Sequence, residues 1–308
     1  MKDSLIDRSE FDKCIDTLIL PKPLMLDENV SLLEALTFIQ EKKIGCLLLH
    51  KDNKLTGVIT ERDYLLRVVG QVDNWREVPC HELMTKAPST LLMSDKIIDV
   101  IKIMTSKEFR HLPILNEQGD VERIVSVKDL LALLVNFFKE EVESVGVMTE
   151  WTYSNTGSYS ENFSLLSGSE NSISGSIFFA ELRRSIFKKA TCISHIASMQ
   201  DALALMQEKK VGSLLVMEYE TKILGIVTER DFLFKFFGKV QYEDIRSVTE
   251  FMTPNPHLLL HRHYLAHAIN NMMRFKYRNT IVVNEDKYPI ALVGLLEVFR
   301  YISLHLFK

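Results

Sequence analysis

The 308-residue chain has few cysteines and none that are paired by spacing. Cys14, Cys46, Cys80 and Cys192 are scattered without a Cys-x-x-Cys, so neither a thiolate zinc site nor a disulfide framework is expected. Cys46 falls in an apolar run and reads as a small core residue. No apolar run reaches the roughly 18 residues that a bilayer-spanning helix needs. The start, Met1-Lys2-Asp3-Ser4-Leu5-Ile6-Asp7, carries carboxylates where a signal peptide would carry an apolar stretch. Neither sign of charge dominates: 37 Lys and Arg face 41 Asp and Glu, for a net charge of −4 and a pI near 6.2. A broad basic field for nucleic acid or anionic lipid is therefore excluded. The expectation is a cytoplasmic protein with no nucleic-acid and no membrane partner. Ser-His-Asp, Cys-His and paired-carboxylate arrangements are missing too, so no catalytic residue is assigned.

What the chain has is repetition, and a repeat sets the architecture. Gly57-Val58-Ile59-Thr60-Glu61-Arg62-Asp63 returns 168 residues later as Gly225-Ile226-Val227-Thr228-Glu229-Arg230-Asp231. Met84-Thr85 matches Met252-Thr253, Pro88 matches Pro256, and Arg110 matches Arg278 at the same spacing. A shorter step of 66 residues leads from Thr60 to Ser126, and from Thr228 to Gly294. The chain therefore reads as four units, A-B-A′-B′, in which a pair has been duplicated. Unit A with its N-terminal segment takes 1–70, unit B 71–143, unit A′ 186–239 and unit B′ 240–308.

Each unit shows the same order, β-α-β-β-α. In unit A, Ser31 and Glu34 form a capping box. Leu32, Leu33, Leu36 and Ile39 follow at helical spacing, and Cys46–Leu49 and Leu55–Ile59 read as strands around a turn at 51–54. Thr60 opens a second helix. Segment 144–185 differs: it is rich in Ser, Asn and Gly, with isolated aromatics at Trp151, Tyr153, Tyr159 and Phe163, and reads as a linker.

The repeated phrase carries plausible binding chemistry. Thr60 and Thr228 stand where a strand gives way to a helix, and helix N-termini favour phosphate. Asp63 and Asp231, one turn on, are acceptors suited to ribose hydroxyls. Gly57 and Gly225 leave room for a flat ring against the strand. Thr-x-x-Asp is equally a helix-capping pattern, so capping without any ligand stands as the alternative.

The β-α-β-β-α unit, the Gly-x-x-Thr-x-x-Asp phrase, the Met-Thr before Pro88 and Pro256, and Arg110-His111-Leu112-Pro113-Ile114 resemble CBS domains over about residues 15–138 and 186–306. The resemblance implies an α/β (α+β) fold of four CBS units paired into two Bateman modules, which stack as a disc or a homodimer. It implies a regulatory role: sensing an adenine nucleotide (AMP, ADP or ATP, or a related adenosyl ligand) between paired units, with no tightly bound cofactor and an unidentified protein target acted on in trans. Arg110 and His111 resemble the family's phosphate-contacting pair, and Arg278 is the equivalent in unit B′; guanidinium suits phosphate by its fork of donors.

The four sites are unequal. Units A and A′ keep the full phrase. Unit B keeps Ser126 and Asp129 but carries Arg123 where Gly is expected. Unit B′ has Ala291, Gly294 and Glu297, and an empty or altered site is expected there. His261, His263 and His267 read as a polar helix start and not as metal ligands. Met199, Met206, Met272 and Met273 read as core, and the cluster Phe232, Phe234, Phe236 and Phe237 as packing between units. A ligand-independent dimerisation or protein-interaction module is the competing functional class.

Overall fold

The computed structural model describes residues 5–147, 172–184, 187–239 and 245–307. After a short strand β1 (Leu5–Asp7), unit A runs β2 (Met25–Asp27), α1 (Leu32–Lys42), β3 (Cys46–Lys51), β4 (Lys54–Thr60) and α2 (Glu61–Asp63), then α3 (Cys80–Leu83) and β5 (Thr85–Lys86). Unit B runs β6 (Leu91–Leu92), α4 (Ile97–Lys107), β7 (His111–Leu115), β8 (Val121–Ser126), α5 (Val127–Phe137) and α6 (Lys139–Ser144). β9 (Ser172–Ser174) precedes unit A′: β10 (Cys192–Ser194), α7 (Met199–Lys209), β11 (Ser213–Glu218), β12 (Lys222–Thr228), α8 (Glu229–Asp231) and β13 (Thr253–Pro254). Unit B′ closes with β14 (Leu258–Leu260), α9 (Leu265–Arg274), β15 (Asn279–Val283), β16 (Pro289–Gly294) and α10 (Leu295–Leu306). This is the expected four-unit α/β fold.

Each unit builds one small mixed sheet. The first strand pairs parallel with the second, across the intervening helix, and the second pairs antiparallel with the third. The register is the same in all four: Cys46 faces Thr60, His111 faces Ser126, Ser213 faces Thr228 and Asn279 faces Gly294. The capping box predicted at Ser31–Glu34 is present, Ser198 and Asp201 form its counterpart in unit A′, and each helix they start ends in a left-handed residue, Lys43 and Lys210. The helix opened by Thr60 differs in detail. After α2 it widens into a π-helical turn over Tyr64–Val68, and α8 does the same over Phe232–Phe236.

The apolar cores lie between the two halves of the chain. One joins unit A to unit A′ through Leu36, Ile39, Tyr64, Leu203, Met206 and Phe236. There Phe237 stacks on Trp75 with ring centroids 4.4 Å apart. The other joins unit B to unit B′ through α5, α9 and α10. Sheets of A′ and B′ meet through Leu215, Met217, Ile226, Ile281 and Val283, and Lys54 of A meets Asp120 of B at 2.5 Å. The four units thus close a ring within one chain, so stacking of the modules needs no second copy. The phenylalanine cluster lies between units as expected, and the four methionines are buried in the cores.

Four segments fall elsewhere than the sequence boundaries place them: α3 with β5, assigned to unit B, and β13, assigned to unit B′, extend units A and A′ through pairing of β5 with β4 and of β13 with β12, and two more dock on another unit. Residues 8–20, grouped with unit A as its N-terminal segment and first residues, pack on unit B: the amides of Ile15 and Asp16 donate to Asp95 and Met93 carbonyls, and Phe11, Ile15 and Leu18 enter the B–B′ core. Residues 172–184, assigned to the linker, mirror them on unit B′: Leu182 and Arg183 amides donate to His263 and His261 carbonyls, and Phe178 is fully buried. The equivalent strands β1 and β9 pair antiparallel, with Ile6 opposite Ile173. A Ser-rich composition concealed the few apolar residues, Ile173, Phe178 and Leu182, that dock this stretch. Trp151, Tyr153, Tyr159 and Phe163 lie outside the described residues. Among the described residues no helix is long and apolar enough to cross a membrane.

Candidate functional site

Thr60 and Asp63 are brought together by the strand-to-helix junction, and they bind each other. The amide of Thr60 donates to Asp63 Oδ2 at 2.8 Å and its hydroxyl to the same oxygen at 2.6 Å, while the Asp63 amide donates back at 3.4 Å. Ser126–Asp129 and Thr228–Asp231 repeat this box. The amides of Glu61 and Glu229 donate to the carbonyls of Gly45 and Gly212. Most donors at these helix starts are therefore taken, which removes the free N–H cradle that the sequence pointed to. The second oxygen of Asp63 faces Arg67 at 3.2 Å, and that of Asp231 faces Lys235 at 2.6 Å. Asp231 is buried, not at an exposed cleft mouth.

Gly57 and Gly225 are close-approach positions, but for a methionine. A Cβ at Gly57 would sit 2.1 Å from Met84 Sδ, and one at Gly225 would sit 2.4 Å from Met252 Sδ. The space read as room for a flat ring is filled here by the thioether of the repeated Met-Thr. In unit B′ the substitutions are complementary. Glu297 folds back over Gly294, where a Cβ would lie 2.3 Å from its Oε2. The longer acid occupies the volume that Thr60 or Ser126 fills elsewhere, and α10 has no side-chain cap.

Open space lies at the seam inside each module. One cleft of about 330 Å³ is lined by Lys22, Pro23, Met25, Val121, Glu122 and Arg123. A second cleft, of about 200 Å³, overlaps the equivalent place at Lys189, Ile290 and Ala291 but lies mostly between unit B′ and the stretch holding Leu182, Arg183 and Phe187. The first falls within the roughly 300–1,000 Å³ usual for small ligands. Arg123 thus borders the larger cleft, its Nη1 donating to the Glu122 carbonyl at 2.8 Å.

Arg110 and Arg278 do not end in solvent. They reach diagonally across the ring. Arg110 of B donates to Glu229 of A′ at 2.9 Å, and Arg278 of B′ pairs with Glu61 of A. Arg230 also meets Glu61, at 2.8 Å, and Arg62 lies 3.5 Å from Glu229. Arg62 and Arg230 further cap the facing helices, donating to the carbonyls of Lys210 and Lys43 at 2.8 and 3.0 Å. Four guanidiniums therefore converge at the ring centre on the carboxylates of Glu61 and Glu229, with Glu297 acting on Arg110 from further off. The carboxylates are buried, Glu61 at 2% and Glu229 at 4% exposure; the guanidinium side chains are about 35–43% exposed. Burial disfavours the charged form of Arg110, but the Glu229 carboxylate, joined by Glu297 and Glu61, outweighs it and raises its pKa. Burial lowers that of Arg230, with Glu61 opposing and Arg278 assisting. His111, half-buried beneath this group, is pushed down to about 3 by burial and then by Arg278 and Arg110, so it is neutral at ordinary pH.

Glu61, Arg62, Glu229 and Arg230 were not among the residues singled out from sequence. The signal was there: Thr-Glu-Arg-Asp is the part of the phrase identical in both copies, while Val58 and Ile59 become Ile226 and Val227. His263 and His267 accept the amides of Leu260 and Tyr264 at 3.2 Å, as a polar helix start does. Among the described residues no His, Cys, Asp or Glu cluster has metal-binding geometry.

A CBS-domain model matches residues 15–70, 80–136 and 184–238, more than half of the chain, and the protein belongs to the CBS-domain family. The fourth unit is outside the matched segments, although its strands and helices follow the same order. CBS domain-containing protein CBSCBSPB5 of Arabidopsis thaliana is 25% identical over 311 residues, covering 96% of this chain and 54% of its own length. Meiotically up-regulated gene 70 protein of Schizosaccharomyces pombe is 24% identical over 315 residues, covering 93% and 42%. The chain thus spans about half the length of the curated relatives it matches. Among solved structures, protein MJ1225 from Methanocaldococcus jannaschii superposes with a TM-score of 0.69 at 15% identity, covering 94% of this chain and 99% of that one. An uncharacterized conserved protein from Pyrococcus horikoshii gives 0.55 at 13% identity, covering 93% and 97%. At these identities the structures share the fold.

Proposed function

We propose that the protein is a non-catalytic regulator that senses an adenine nucleotide, with the base and sugar in the seam clefts and the phosphates directed to the arginines at the ring centre. The observation that carries this is the convergence of four arginines, on partly exposed side chains, from all four units. A ligand there touches both modules at once, so it can favour one arrangement of the ring over another, which a switch requires. The cleft beside Lys22 and Arg123 is the roomier of the two and is the first candidate. Unit B′, with Glu297 over Gly294, is closed to a ligand anion. The target would be a protein acted on in trans in the cytoplasm.

A second reading is favoured by one specific finding. The Thr60–Asp63, Ser126–Asp129 and Thr228–Asp231 boxes are complete without a ligand, as in a ligand-independent interaction scaffold. Thermal melts against AMP, ADP and ATP separate the two. A nucleotide that binds only the folded state adds about 2.7 kcal/mol at a hundred times its Kd. Arg110→Gln should abolish the shift and Asp63→Ala with Asp231→Ala should weaken it, while loss of the two caps itself costs about 1 kcal/mol each. No shift with any nucleotide at millimolar concentration favours the scaffold.

A further inference from the structure

We infer that Glu61 and Glu229 are resident anions that compete with the ligand's phosphate for Arg278 and Arg110, and so set how much negative charge a ligand must carry to bind. This rests on the reading that an anionic ligand reaches the ring centre. The two carboxylates are the chain's most buried acids at this site, and each is held by two arginines of the opposite module: Glu61 by Arg230 and Arg278, Glu229 by Arg62 and Arg110.

Such pairs are a poor way to gain stability. Desolvating the charges offsets most of their attraction, and apolar replacements are often neutral or better. What the arrangement does accomplish is to occupy, with a carboxylate, the guanidinium edge that a phosphate would take; both can accept two parallel N–H bonds from arginine's planar fork. The arginine side chains remain about 35–43% exposed, so part of each faces solvent in the closed ring. The two carboxylates are also held unequally. Glu61 engages a guanidinium with each oxygen. Glu229 is bonded through Oε2, while its buried Oε1 has no hydrogen bond among the described residues. Arg62, 3.5 Å from that oxygen, is thus held to Glu229 by charge alone and Arg110 by a single hydrogen bond, so this side of the centre is the first to exchange its carboxylate for phosphate. Each exchange breaks a brace between diagonal units, so occupancy by ligand and closure of the brace exclude each other.

The test is the response of Glu61→Gln, Glu229→Gln and the double variant to inorganic phosphate, against chloride at the same ionic strength. Phosphate should bind the glutamine variants more tightly than the wild type, within the roughly 5–150-fold range of ordinary coupling between sites, and should raise their melting temperature further. Adding Arg110→Gln to Glu229→Gln should remove the gain. If glutamine leaves the centre too positive to fold, recovery of the folded state in phosphate but not in chloride supports the inference. Equal phosphate response in wild type and variants, a gain that survives Arg110→Gln, or a variant unfolded in both salts overturns it. AMP and ATP titrated into the wild type keep the two readings apart. No nucleotide binding with the phosphate gain intact overturns nucleotide sensing alone; nucleotide binding with no phosphate gain overturns the competition alone.

Discussion

Gly294 and Glu297 show how one side chain's identity depends on another's. Threonine at 294 would press on the Glu297 carboxylate, whereas threonine with aspartate at 297 would recreate the Ser126–Asp129 box. Gly294→Thr with Glu297→Asp should stabilise the protein by about 1 kcal/mol, and the pair should be better than the sum of the single changes in a double-mutant cycle read by urea unfolding. Simple additivity would deny the coupling. His111 makes a pH prediction. Its folded pKa is about 3 against about 6.5 for a free histidine. Between those values the unfolded chain binds more protons, so this contribution is full above about pH 6.5 and is lost as pH falls toward 3. His111→Gln should flatten the fall by up to one proton, about 1.4 kcal/mol per pH unit; an unchanged slope in urea melts from pH 4 to 7 would place the effect elsewhere. The hydroxyl and acid of each phrase could be read as a pair from spacing alone. The covering of Gly57 by Met84 could not, because the two are 27 residues apart. Glu61 escaped attention because a glutamate in the first turn of a helix is an ordinary partner for its dipole.

The helices carry a second layer of information in their irregular turns. Where α2 widens into a π-turn, the carbonyls of Leu65 and Val69 are met by the Gln207 amide from α7 at 2.8 and 3.0 Å. Gln40 of α1 does the same for Leu233 and Phe237 at 2.7 and 3.3 Å. π-turns recur at functional positions, and here they face the partner module. Gln40→Leu or Gln207→Leu fits the apolar surroundings but orphans two carbonyls, and should cost about 1–3 kcal/mol. Hydrogen exchange should quicken in the facing π-turn and not in the helix that carries the substitution; uniform quickening would argue against a local clamp. Helix and strand placement was legible here, since the capping boxes and apolar spacing sit within single elements. The π-turns were not, because Tyr64–Val68 and Phe232–Phe236 have an unremarkable helical composition and the glutamine that meets their carbonyls lies far away in sequence.

At the scale of the whole molecule, each module is half of two cores. Residues 5–147 alone would expose the faces that Leu36, Tyr64, Val127 and Leu131 present to the other module. Expressed without residues 172–307, this half should self-associate into a symmetric dimer that imitates the intact ring, and should exchange into a complex with the second half when the two are mixed. A monomer in sedimentation at micromolar concentration would show that the inter-module cores are not needed. The fourfold repeat made the units legible; which unit faces which was hidden, because apolar helix faces do not name their partners. The pairing of Phe11 with Phe307, 4.8 Å apart, and of β1 with β9 has a consequence for synthesis. At about 5–20 residues per second, β1 and Phe11 leave the ribosome many seconds before β9 and Phe307, which receive part of their surface. Unit B, which takes Ile15 and the other edge of Phe11, is made earlier, so the faces turned to β9 and Phe307 are where a nascent chain most needs shielding.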